Sequence, residues 1–439
     1  MSQPKIINRR SFFGKMAGAA GAAVALPYII PGTALGKDGA TAASDRIVMG
    51  LIGSGSQGTG DMQEFLGKKE VQMVASCDVD KGHRDNAKAI MDAKYGNTDA
   101  RAHADYREFL AKEKLDAIVM ALPDQWHAII AIAAANAKLD IYGEKPLART
   151  IWEGKNIIEA VEKNKVIWQT GSWQRSEAHF HRACELVING RIGKVKFVEV
   201  GLPDGGPTNK PHPVQPVPEG LDWDMWLGPS PKEPYRGVCH WDWRWILAYS
   251  GGQLTDWAGH HIDIAHWGLG LERTGPIEIE AKGVYPREGI FDVPVEYSIH
   301  AKYATGVEMH YANARQVPHG MGVCWYGENG SWIHVDRGER LFASDPKILD
   351  EKIGDNEIRL YKSLDHVQNH LDCIRSRKET IAPCQVAHRS ISAALLGEIA
   401  MLTGRKLKWN PDTQEFLDDP IASRMLRRPF RSPWKLQGN

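Results

Sequence analysis

Residues 47–60, which read IVMGLIGSGSQGTG, constrain the fold more than any other part of the chain. They begin with an apolar run long enough for one buried parallel strand, and the glycine pattern G-x-G-x-x-G follows at once. Apolar residues then recur at helical spacing up to Leu66. Strand, turn and helix in this order predict a dinucleotide site, because the glycines let a pyrophosphate approach the backbone and the helix N-terminus attracts its charge. The residues expected to form this contact are Gly53, Gly55, Ser56, Gln57 and Gly58.

A second apolar run, residues 71–77, ends in Asp78, about 20 residues beyond the glycines. A carboxylate at this place accepts hydrogen bonds from both ribose hydroxyls and repels a 2′-phosphate, so the sequence predicts NAD rather than NADP. The alternative is a glycine turn without a ligand and a solvated aspartate. The ordered succession of strand, turn, helix, strand and acid favours the nucleotide site.

Composition narrows the class of protein. A chain of 439 residues suggests two or three domains, and 43% hydrophobic with 25% charged residues is typical of a globular protein. The formal net charge is zero and no basic block occurs, which argues against a nucleic-acid partner. The six cysteines show neither C-x-x-C nor zinc-type spacing, so we predict no metal site from them.

The N-terminus predicts export. Residues 8–15 contain Arg9-Arg10 and resemble a twin-arginine signal, and the apolar stretch at 16–30 is too short and weak for a stable membrane span. We expect residues 1–45 to be a signal peptide and linker that direct the protein to the periplasm through the twin-arginine machinery. The alternative is a disordered leader with a chance arginine pair. Because this machinery carries folded proteins, a tightly bound nucleotide could be loaded in the cytoplasm first.

Strands alternate with helices over residues 46–170, which predicts a doubly wound parallel sheet with ligands outside the carboxyl ends of its strands. The predicted strands are 47–52, 71–77, 116–122, 140–142 and 166–170, and the predicted helices are 82–95, 128–137 and 151–163.

From residue 171 to residue 407 we predict a second α/β domain. Period-two alternation and short turns over residues 295–335 indicate an antiparallel sheet with one exposed or half-exposed face. Residues 203–218 are rich in Pro and Gly and predict a long surface loop. The remaining predicted elements are a strand at 194–202, helices at 180–188, 365–377 and 387–402, and an irregular tail at 408–439.

The first chemical constellation is Gly143-Glu144-Lys145-Pro146, at a predicted strand end beside the expected nicotinamide. A lysine there can orient a substrate hydroxyl and stabilise developing negative charge. The alternative, a surface lysine before a helix, would be favoured for an isolated lysine. The position at a strand end favours the functional interpretation.

The second constellation lies in residues 251–267. If this stretch is one helix, Asp256, His260 and Asp263 share a face, and a carboxylate one turn from an imidazole makes the ring a better proton acceptor. A structural histidine or a metal site that includes His261 and His266 are the alternatives. Adjacent histidines on a helix point about a hundred degrees apart, so only part of that set could share one ion, and we predict no metal.

The third constellation is the aromatic region at 240–245, together with Trp223 and Trp226. Indole faces stack on the C–H faces of sugar rings, and Arg and Asp bond hydroxyls, although core and loop-anchoring roles are equally open for each single tryptophan. The predicted substrate contacts are Trp173, Arg175, Trp243, Arg244 and His261.

In combination, these motifs resemble the Gfo/Idh/MocA oxidoreductases, the glucose–fructose oxidoreductase and inositol dehydrogenase family. The likeness runs from about residue 46 to the tail, and WLGP at 226–229 with RPFRSPW at 428–434 is most similar to the exported bacterial branch. The resemblance implies a Rossmann domain followed by an α/β domain on an open, mainly antiparallel sheet, through which copies form a homo-oligomer. It implies catalytic roles for Lys145, Asp256 and His260, and cofactor contacts from Leu122, Pro123, Trp126, His127, Glu144 and Lys145.

The resemblance also implies hydride transfer between tightly bound NAD and a secondary alcohol of a sugar, glycoside or cyclitol. Two other functions stay open: a redox-neutral glycosidase that oxidises the ring transiently, and a non-catalytic dinucleotide or sugar-binding protein. Many relatives have a small residue in place of Trp257, so we expect a tighter pocket here, which bears on the substrate rather than on the chemistry.

Overall fold

The computed structural model describes residues 41–204 and 211–436. The chain divides into two compact units, Met1–Arg46 and Ile47–Asn439. In the first unit only residues 41–46 are described, with one 3₁₀ turn at Ala43–Asp45, so the predicted export signal lies outside the described residues. Among the helices of the described part, none combines the length and apolarity needed to cross a bilayer.

The first sheet has six parallel strands in the order β3-β2-β1-β4-β5-β6. These strands are β1 (Ile47–Ile52), β2 (Val71–Cys77), β3 (Arg101–His103), β4 (Ala117–Met120), β5 (Asp140–Gly143) and β6 (Trp168–Thr170). Every residue of β4 and β5 is buried, because helices cover both faces of such a sheet. The strand order reverses between β1 and β4, which is where a doubly wound sheet opens a crevice for a ligand. The predicted parallel sheet is confirmed.

Five helices connect these strands: α1 (Ser56–Leu66), α2 (Lys81–Tyr95), α3 (Tyr106–Lys112), α4 (Asp124–Asn136) and α5 (Ile151–Asn164). Helix α4 starts four residues before the predicted start at residue 128, directly after Pro123. Asp124 in its first turn suits the positive end of the helix dipole, and the Oδ2 atom of Asp124 accepts a hydrogen bond from Ser250 at 2.7 Å. Helix α4 therefore begins at the crevice, directly after the loop that follows β4.

The second sheet has nine strands in the order β13-β12-β11-β7-β10-β9-β8-β14-β15. Its pairs are antiparallel except for β7 with β10, so the predicted mainly antiparallel sheet is confirmed. The strands are β7 (Val195–Leu202), β8 (Glu278–Val284), β9 (Glu296–Lys302), β10 (Glu308–Asn313), β11 (Gly322–Gly327), β12 (Trp332–Asp336), β13 (Arg340–Ala343), β14 (Leu407–Asn410) and β15 (Glu415–Phe416). Along β9, buried Tyr297, Ile299 and Ala301 alternate with more exposed neighbours, as the period-two pattern predicts.

The helices that accompany this sheet are α6 (Ala178–Ile188), α7 (Trp223–Leu227), α8 (Gly252–Trp257), α9 (Asp263–Trp267), α10 (His366–Ser376), α11 (Cys384–Thr403) and α12 (Pro420–Arg424). Helix α11 is buried along most of its length and forms part of the main core with the inward side chains of β8 and β9. Residues 211–218 of the predicted long loop lack helix or strand, and residues 205–210 lie outside the described part.

The tail is only partly irregular: it contains two short strands and one short helix that the sequence analysis did not predict, whereas residues 425–436 have neither helix nor strand. Strand β14 pairs with β8, β15 pairs with β14, and the ring centroids of Trp409 and Phe416 lie 4.9 Å apart. Elements of two to five residues are too short to show a period, so the sequence pattern could not reveal them. The chain then returns to the first sheet, where Trp434 packs against Trp126 with ring centroids 4.8 Å apart.

Helix α1 offers a matched pair of glycine substitutions. A Cβ atom on Gly58 would lie 1.9 Å from the carbonyl oxygen of Gly53, whereas a Cβ atom on Gly60 would have nothing within 4 Å. We expect Gly58→Ala to destabilise the protein by about 1–3 kcal/mol or more, because backbone must move. Gly60→Ala should be neutral or stabilise it by about 0.5–1 kcal/mol. Urea unfolding of both variants measures the difference, and equal midpoints would contradict the close approach.

Candidate active site

An open cleft lies at the carboxyl ends of β1, β2, β4 and β5. The second domain closes its other side with the segments around residues 221–226, 239–244 and 256. Of the residues predicted from the sequence, those that line the cleft are Gly53, Gly55, Ser56, Gln57, Gly58, Asp78, Leu122, Pro123, Trp126, Glu144, Lys145, Trp243, Arg244 and Asp256. The remaining predicted residues lie elsewhere and are described below.

The glycine turn presents open backbone to this cleft. Gly53 has a φ of 88°, and a Cβ atom there would lie 2.0 Å from the carbonyl oxygen of Ala121. A Cβ atom added to Gly55 would have no other atom within 4 Å. Gly55 is also the N-cap of α1 and brings no capping side chain, so the first N–H groups of the helix remain available. These features fit a dinucleotide pyrophosphate.

Asp78 ties the end of β2 to the glycine turn. Its Oδ2 atom accepts a hydrogen bond from the backbone N–H of Ser54 at 2.7 Å, and its Oδ1 atom accepts one from the N–H of Asp80 at 2.9 Å. Nδ1 of His83 lies 3.7 Å from Oδ2 of Asp78, and this carboxylate raises the pKa of the His83 ring above its ordinary value. Each carboxylate oxygen keeps a further lone pair, and Asp78 lines the cleft where ribose hydroxyls are expected.

A segment of the second domain crosses the chain just after Asp78. The N–H of Lys81 donates to the carbonyl oxygen of Gly220 at 2.9 Å, and the N–H of Asp222 donates to that of Val79 at 3.2 Å. Beside this crossing the ring centroids of His83 and His240 lie 4.8 Å apart, and both rings line the cleft. The crossing therefore covers the end of the cleft where the adenosine half of a dinucleotide would lie. Sequence reasoning missed it, because no local pattern marks the pairing.

Lys145 lies directly after β5 and reaches into the second domain. Its Nζ atom donates a hydrogen bond to Oδ1 of Asp256 at 2.8 Å, and the two side chains are only 16% and 18% exposed. Burial acts to lower the pKa of Lys145, but the Asp256 and Glu144 charges outweigh it and raise this pKa. Helix α8 and the turn after it come this close because residue 259 is glycine: a Cβ atom there would lie 2.9 Å from Cβ of Lys145.

The structure does not pair the Asp256 carboxylate with the His260 ring, although the sequence predicts that the two side chains share one face of a helix. Among the described residues, the carboxylate of Asp256 pairs with Lys145, and Nδ1 of His260 is buried without a hydrogen-bond partner. Residues Ala258–Ile262 form a π-helical turn between α8 and α9 rather than a continuous α-helix. The wider turn shifts the register, so side chains four residues apart no longer stack.

His260 does not line the cleft, but its ring is suited to accept a proton. Its residue surface is 6% exposed, and its ring centroid lies 5.3 Å from that of Trp257. Burial, followed by the charges of Lys145 and Arg337, lowers the pKa of His260 well below its ordinary range. The ring is therefore neutral at neutral pH and keeps a lone pair for a substrate proton.

Two predicted substrate contacts are buried structural groups instead. Arg175 is 2% exposed, and its Nη2 atom donates to Asp263 and to Glu272, both at 3.0 Å. His261 is completely buried, and its Nδ1–H donates to the carbonyl oxygen of Gly201 at 2.9 Å. A buried guanidinium needs carboxylate partners, and those partners are distant in sequence. Neither side chain lines the cleft.

Two further predicted residues support the cleft without lining it. The Nε2–H of the buried His127 donates to the carbonyl oxygen of Leu122 at 2.8 Å, and so holds the loop that does line the cleft. The ring of Trp173 stacks on His366 with centroids 6.3 Å apart and lines a small surface cavity beside α1.

Some side chains of the aromatic region face the cleft, and others belong to the hydrophobic core. Trp223 and Trp226 stack with ring centroids 4.8 Å apart in a small hydrophobic cluster, although Trp226 also lines the cleft. Trp243 and Arg244 line the cleft, and Cζ of Arg244 lies 4.5 Å from the ring centroid of Trp243. The aromatic region thus contributes to both the core and the lining of the cleft, which are the two roles that the sequence left open.

Two carboxyl groups lie buried beside Lys145, and the sequence indicated a role for only one. Glu144 is 4% exposed and Asp61 is 1% exposed. Burial raises the pKa of Glu144 to about 7, although the Lys145 charge acts in the opposite direction. Burial and the Glu144 charge raise the pKa of Asp61 well above its ordinary range. At pH 7 the Glu144 carboxyl group is therefore about half protonated.

Two family models match this chain: the NAD-binding Rossmann fold of the oxidoreductase family at residues 47–172, and the C-terminal α/β domain of that family at residues 205–436. Together they cover the first sheet, all strands of the second sheet except β7, and the residues that line the cleft. The chain therefore belongs to the Gfo/Idh/MocA oxidoreductase family.

The chain is similar to several characterised and uncharacterised relatives. It is 26% identical over 238 residues to the uncharacterized oxidoreductase YrbE of Bacillus subtilis, covering 54% of this chain and 57% of that protein. It is 29% identical over 151 residues to the inositol 2-dehydrogenase of Salmonella typhimurium, covering 34% of this chain and 44% of that protein. The aligned part thus spans about half the length of these curated relatives.

Among solved structures, the WlbA dehydrogenase from Bordetella pertussis, in complex with NADH and UDP-GlcNAcA, has the same fold. The two superpose with a TM-score of 0.61 at 17% identity, covering 83% of this chain and 99% of that chain. At this identity the likeness concerns the fold alone.

The raised pKa of Glu144 predicts a pH dependence of stability. A group whose folded pKa of about 7 exceeds its ordinary value of 4.5 stabilises the fold below pH 4.5 and loses that contribution as the pH rises through 7. Glu144→Gln removes this titration. Relative to the wild type, the free energy of unfolding of Glu144→Gln should therefore rise by about 2–3 kcal/mol between pH 5 and pH 8.

Urea unfolding at several pH values measures this difference. Glu288→Gln, on an exposed glutamate, reports the effect of losing a surface carboxylate. A constant difference between wild type and Glu144→Gln across the pH range would show that Glu144 is charged in the folded state.

Proposed function

We propose that the protein is an NAD-dependent oxidoreductase that transfers hydride between nicotinamide and a secondary alcohol of a sugar, glycoside or cyclitol. The observation that carries this proposal is the Lys145–Asp256 pair in the cleft, on the far side of the glycine turn from Asp78. Membership of the oxidoreductase family and the likeness to an inositol 2-dehydrogenase support it.

The residues of the cleft fit a dinucleotide. The open space before Gly55 and the uncapped start of α1 would hold the pyrophosphate, and Asp78 would bond the ribose hydroxyls and disfavour a 2′-phosphate. When bound, nicotinamide would supply the hydride acceptor or donor. Every other step falls to side chains of this chain.

Each catalytic side chain has a distinct task. The Lys145 ammonium, held at 2.8 Å by Asp256, would donate to the substrate oxygen and stabilise negative charge as the hydroxyl proton leaves. The neutral ring of His260 would take that proton. Asp256 thus positions Lys145 rather than His260, and its lowered pKa, to which Lys145 and Arg244 contribute against the effect of burial, keeps it ionised.

The assignment of the base can be tested by substitution. We expect His260→Ala to lower kcat by about 10²–10⁴-fold, since a positioned base contributes that much, and to leave nucleotide affinity nearly unchanged. Asp256→Asn should cost less. His300→Ala, on the exposed face of β9, is the matched control. Steady-state kinetics and nucleotide titration are the measurements, and near wild-type turnover of His260→Ala would make His260 structural.

The same cleft could catalyse the redox-neutral hydrolysis of a glycoside, because transient oxidation of a ring carbon needs the same lysine and the same base. The two functions differ in their products. An oxidoreductase forms a ketone together with an equal amount of NADH or of a reduced second substrate, whereas a redox-neutral enzyme releases an aglycone without net oxidation. Quantifying both products with glycoside substrates separates them.

We also propose that the protein is exported through the twin-arginine machinery and works in the periplasm as a homo-oligomer. The motif around Arg9-Arg10 supports export, and the family resemblance supports pairing of copies through the nine-stranded sheet. Fractionation of cells that express the full chain, with Arg9→Lys and Arg10→Lys together as the control, tests the first proposal. Sedimentation of the purified protein tests the second.

Export leads to a prediction about the cofactor. Free NAD is scarce outside the cytoplasm, so the enzyme should retain its nucleotide. The bound NADH should be reoxidised without leaving the protein, either by reducing a second sugar or by returning the hydride to the first. Retention requires a dissociation constant well below micromolar, which is roughly 9 kcal/mol or more of binding free energy. The crossing of Gly220–Asp222 over Val79–Lys81 supports this proposal, because it covers the adenosine end of the cleft.

Exhaustive gel filtration followed by denaturation and assay of released nucleotide measures retention. We expect near-stoichiometric NAD and activity without added cofactor. An apoprotein that works only with millimolar NAD would contradict retention while leaving the oxidoreductase proposal intact.

A further inference from the structure

Two histidines and an aspartate converge at the adenosine end of the cleft. Asp80 is the N-cap of α2 and His83 lies in its first turn, whereas His240 belongs to the second domain. One ligand atom from each of the three, a carboxylate oxygen or a ring nitrogen, lies within 4.8 Å of the other two, and all three residues line the cleft. Within residues 41–204 and 211–436, no other three His, Cys, Asp or Glu side chains converge in this way.

The carboxylate of Asp80 is fixed through one oxygen and open at the other. Its Oδ1 atom accepts hydrogen bonds from the backbone N–H groups of Gly82 and His83, at 2.7 and 3.2 Å. Its Oδ2 atom lies 3.6 Å from Nε2 of His240 and accepts no hydrogen bond from the described residues. A carboxylate that is oriented in this way by its own hydrogen bonds is typical of a metal ligand.

The two histidine rings approach acids without bonding them. Nδ1 of His83 lies 3.7 Å from Oδ2 of Asp78, and the distance from His240 to Asp80 is 3.6 Å, so both exceed the length of an ordinary N–H···O hydrogen bond. The ring planes of His83 and His240 are inclined by 64° rather than stacked in parallel. Their side chains are 37% and 50% exposed, so the rings can turn and an ion can enter from solvent.

The separations fit an ion of the size of Zn²⁺. A tetrahedral Zn²⁺ ion with N and O ligands at about 2.0–2.1 Å holds neighbouring ligand atoms about 3.4 Å apart. Asp80 and His240 are already near this separation, and a rotation of the half-exposed His83 ring closes the remainder. Two imidazoles and one carboxylate suit zinc and other divalent transition metals, whereas Mg²⁺ and Ca²⁺ prefer oxygen ligands alone. A fourth position stays open to water.

An ion at this place would join the two domains. Asp80 and His83 belong to the first domain, and His240 belongs to the second. The crossing of Gly220–Asp222 over Val79–Lys81 lies beside them and is held by two backbone hydrogen bonds. A metal would add a link that must break before the crossing can lift from the cleft. The sequence did not indicate this set, because His240 is distant in the chain from the other two residues.

We propose that Asp80, His83 and His240 bind a divalent transition-metal ion of the zinc type, which links the two domains over the adenosine end of the cleft and slows release of the nucleotide. The site itself follows from the convergence of the three side chains. Its effect on the nucleotide rests on the function proposed above. The ion would have no part in hydride transfer, which belongs to the end of the cleft at Lys145.

Metal titration tests the site. Untagged protein is stripped with EDTA, desalted and titrated with Zn²⁺ by calorimetry, and the visible d–d bands of added Co²⁺ report the coordination number. Mg²⁺ and Ca²⁺ are the comparison ions. We expect one Zn²⁺ ion per chain with a dissociation constant of roughly micromolar or below, and binding of Mg²⁺ and Ca²⁺ about 100-fold weaker or more.

Substitutions locate the ion. His83→Ala and His240→Ala should each weaken Zn²⁺ binding by about 100-fold or more, because loss of a group that only orients a ligand already costs about 10–100-fold. Asp80→Asn, which keeps an oxygen for the N-cap but loses the charge, should have a smaller effect. His300→Ala removes one ring of the stacked His300–His310 pair outside the cleft and should bind Zn²⁺ like the wild type. Unfolding midpoints in EDTA check that the variants fold.

Release of the nucleotide tests the link between the domains. Protein loaded with NADH is mixed with excess NAD, and the loss of bound NADH is followed by its fluorescence, with Zn²⁺ and with EDTA. We expect Zn²⁺ to slow release by about 10-fold or more in the wild type, the scale of one coordination bond that must open first, and to have no effect in His240→Ala.

Four results would overturn the proposal. The first is an absence of saturable Zn²⁺ binding, or equally tight binding of Mg²⁺ or Ca²⁺. The second is a loss of Zn²⁺ binding in His300→Ala as large as that in His240→Ala. The third is release of NADH at the same rate with Zn²⁺ and with EDTA. The fourth is an equal loss of NADH affinity in His240→Ala with and without metal, which would assign the ring to the adenosine.

The two parts of the test separate the site from the function. Protein that takes up no NADH would refute the proposed oxidoreductase function, and with it the effect on release. The titration of the nucleotide-free protein with Zn²⁺ decides the metal site in either case.

Discussion

The ion pair between Lys145 and Asp256 is the interaction on which the rest of the site depends. It joins the end of β5 in the first sheet to helix α8 of the second domain, across 111 positions of sequence. Both side chains are mostly buried, and a buried charge is costly without its partner. The pair therefore couples the packing of the two domains to the chemistry: a shift between the domains would separate the charges and misplace the ammonium.

The local backbone is shaped to permit this pair. The π-helical turn at Ala258–Ile262 interrupts what would be one helix, and Gly259 within it lets the turn approach Lys145. A regular helix with a side chain at residue 259 would push against Cβ of Lys145. The same turn leaves His260 close to Lys145 and Arg337 without a carboxylate of its own, which keeps its ring neutral. The irregular backbone of this turn and the neutral state of the His260 ring thus both result from the close packing of the turn against Lys145.

The polar groups of the site fall into two kinds. Arg175, Asp263 and Glu272 satisfy one another and hold the second domain together, so they have no capacity left for a ligand. Arg244, which lines the cleft, lies against the indole faces of Trp241 and Trp243 instead, and its buried Nε atom has no hydrogen-bond partner among the described residues. The two arginines thus differ in whether the protein supplies the carboxylate that a guanidinium binds.

The sequence by itself determined the dinucleotide half, because its strand, glycine turn, helix and terminal Asp78 are consecutive and their spacing is local. It also indicated the second sheet, since alternation in strands such as β9 records which side chains face the core. Only the tertiary structure decided that Asp256 pairs with Lys145 rather than His260, that Arg175 and His261 are buried, and that parts of the tail form strands. These outcomes depend on which distant segments pack against one another, and a π-helical turn or a buried ion pair leaves no periodic signal in the residues that form it.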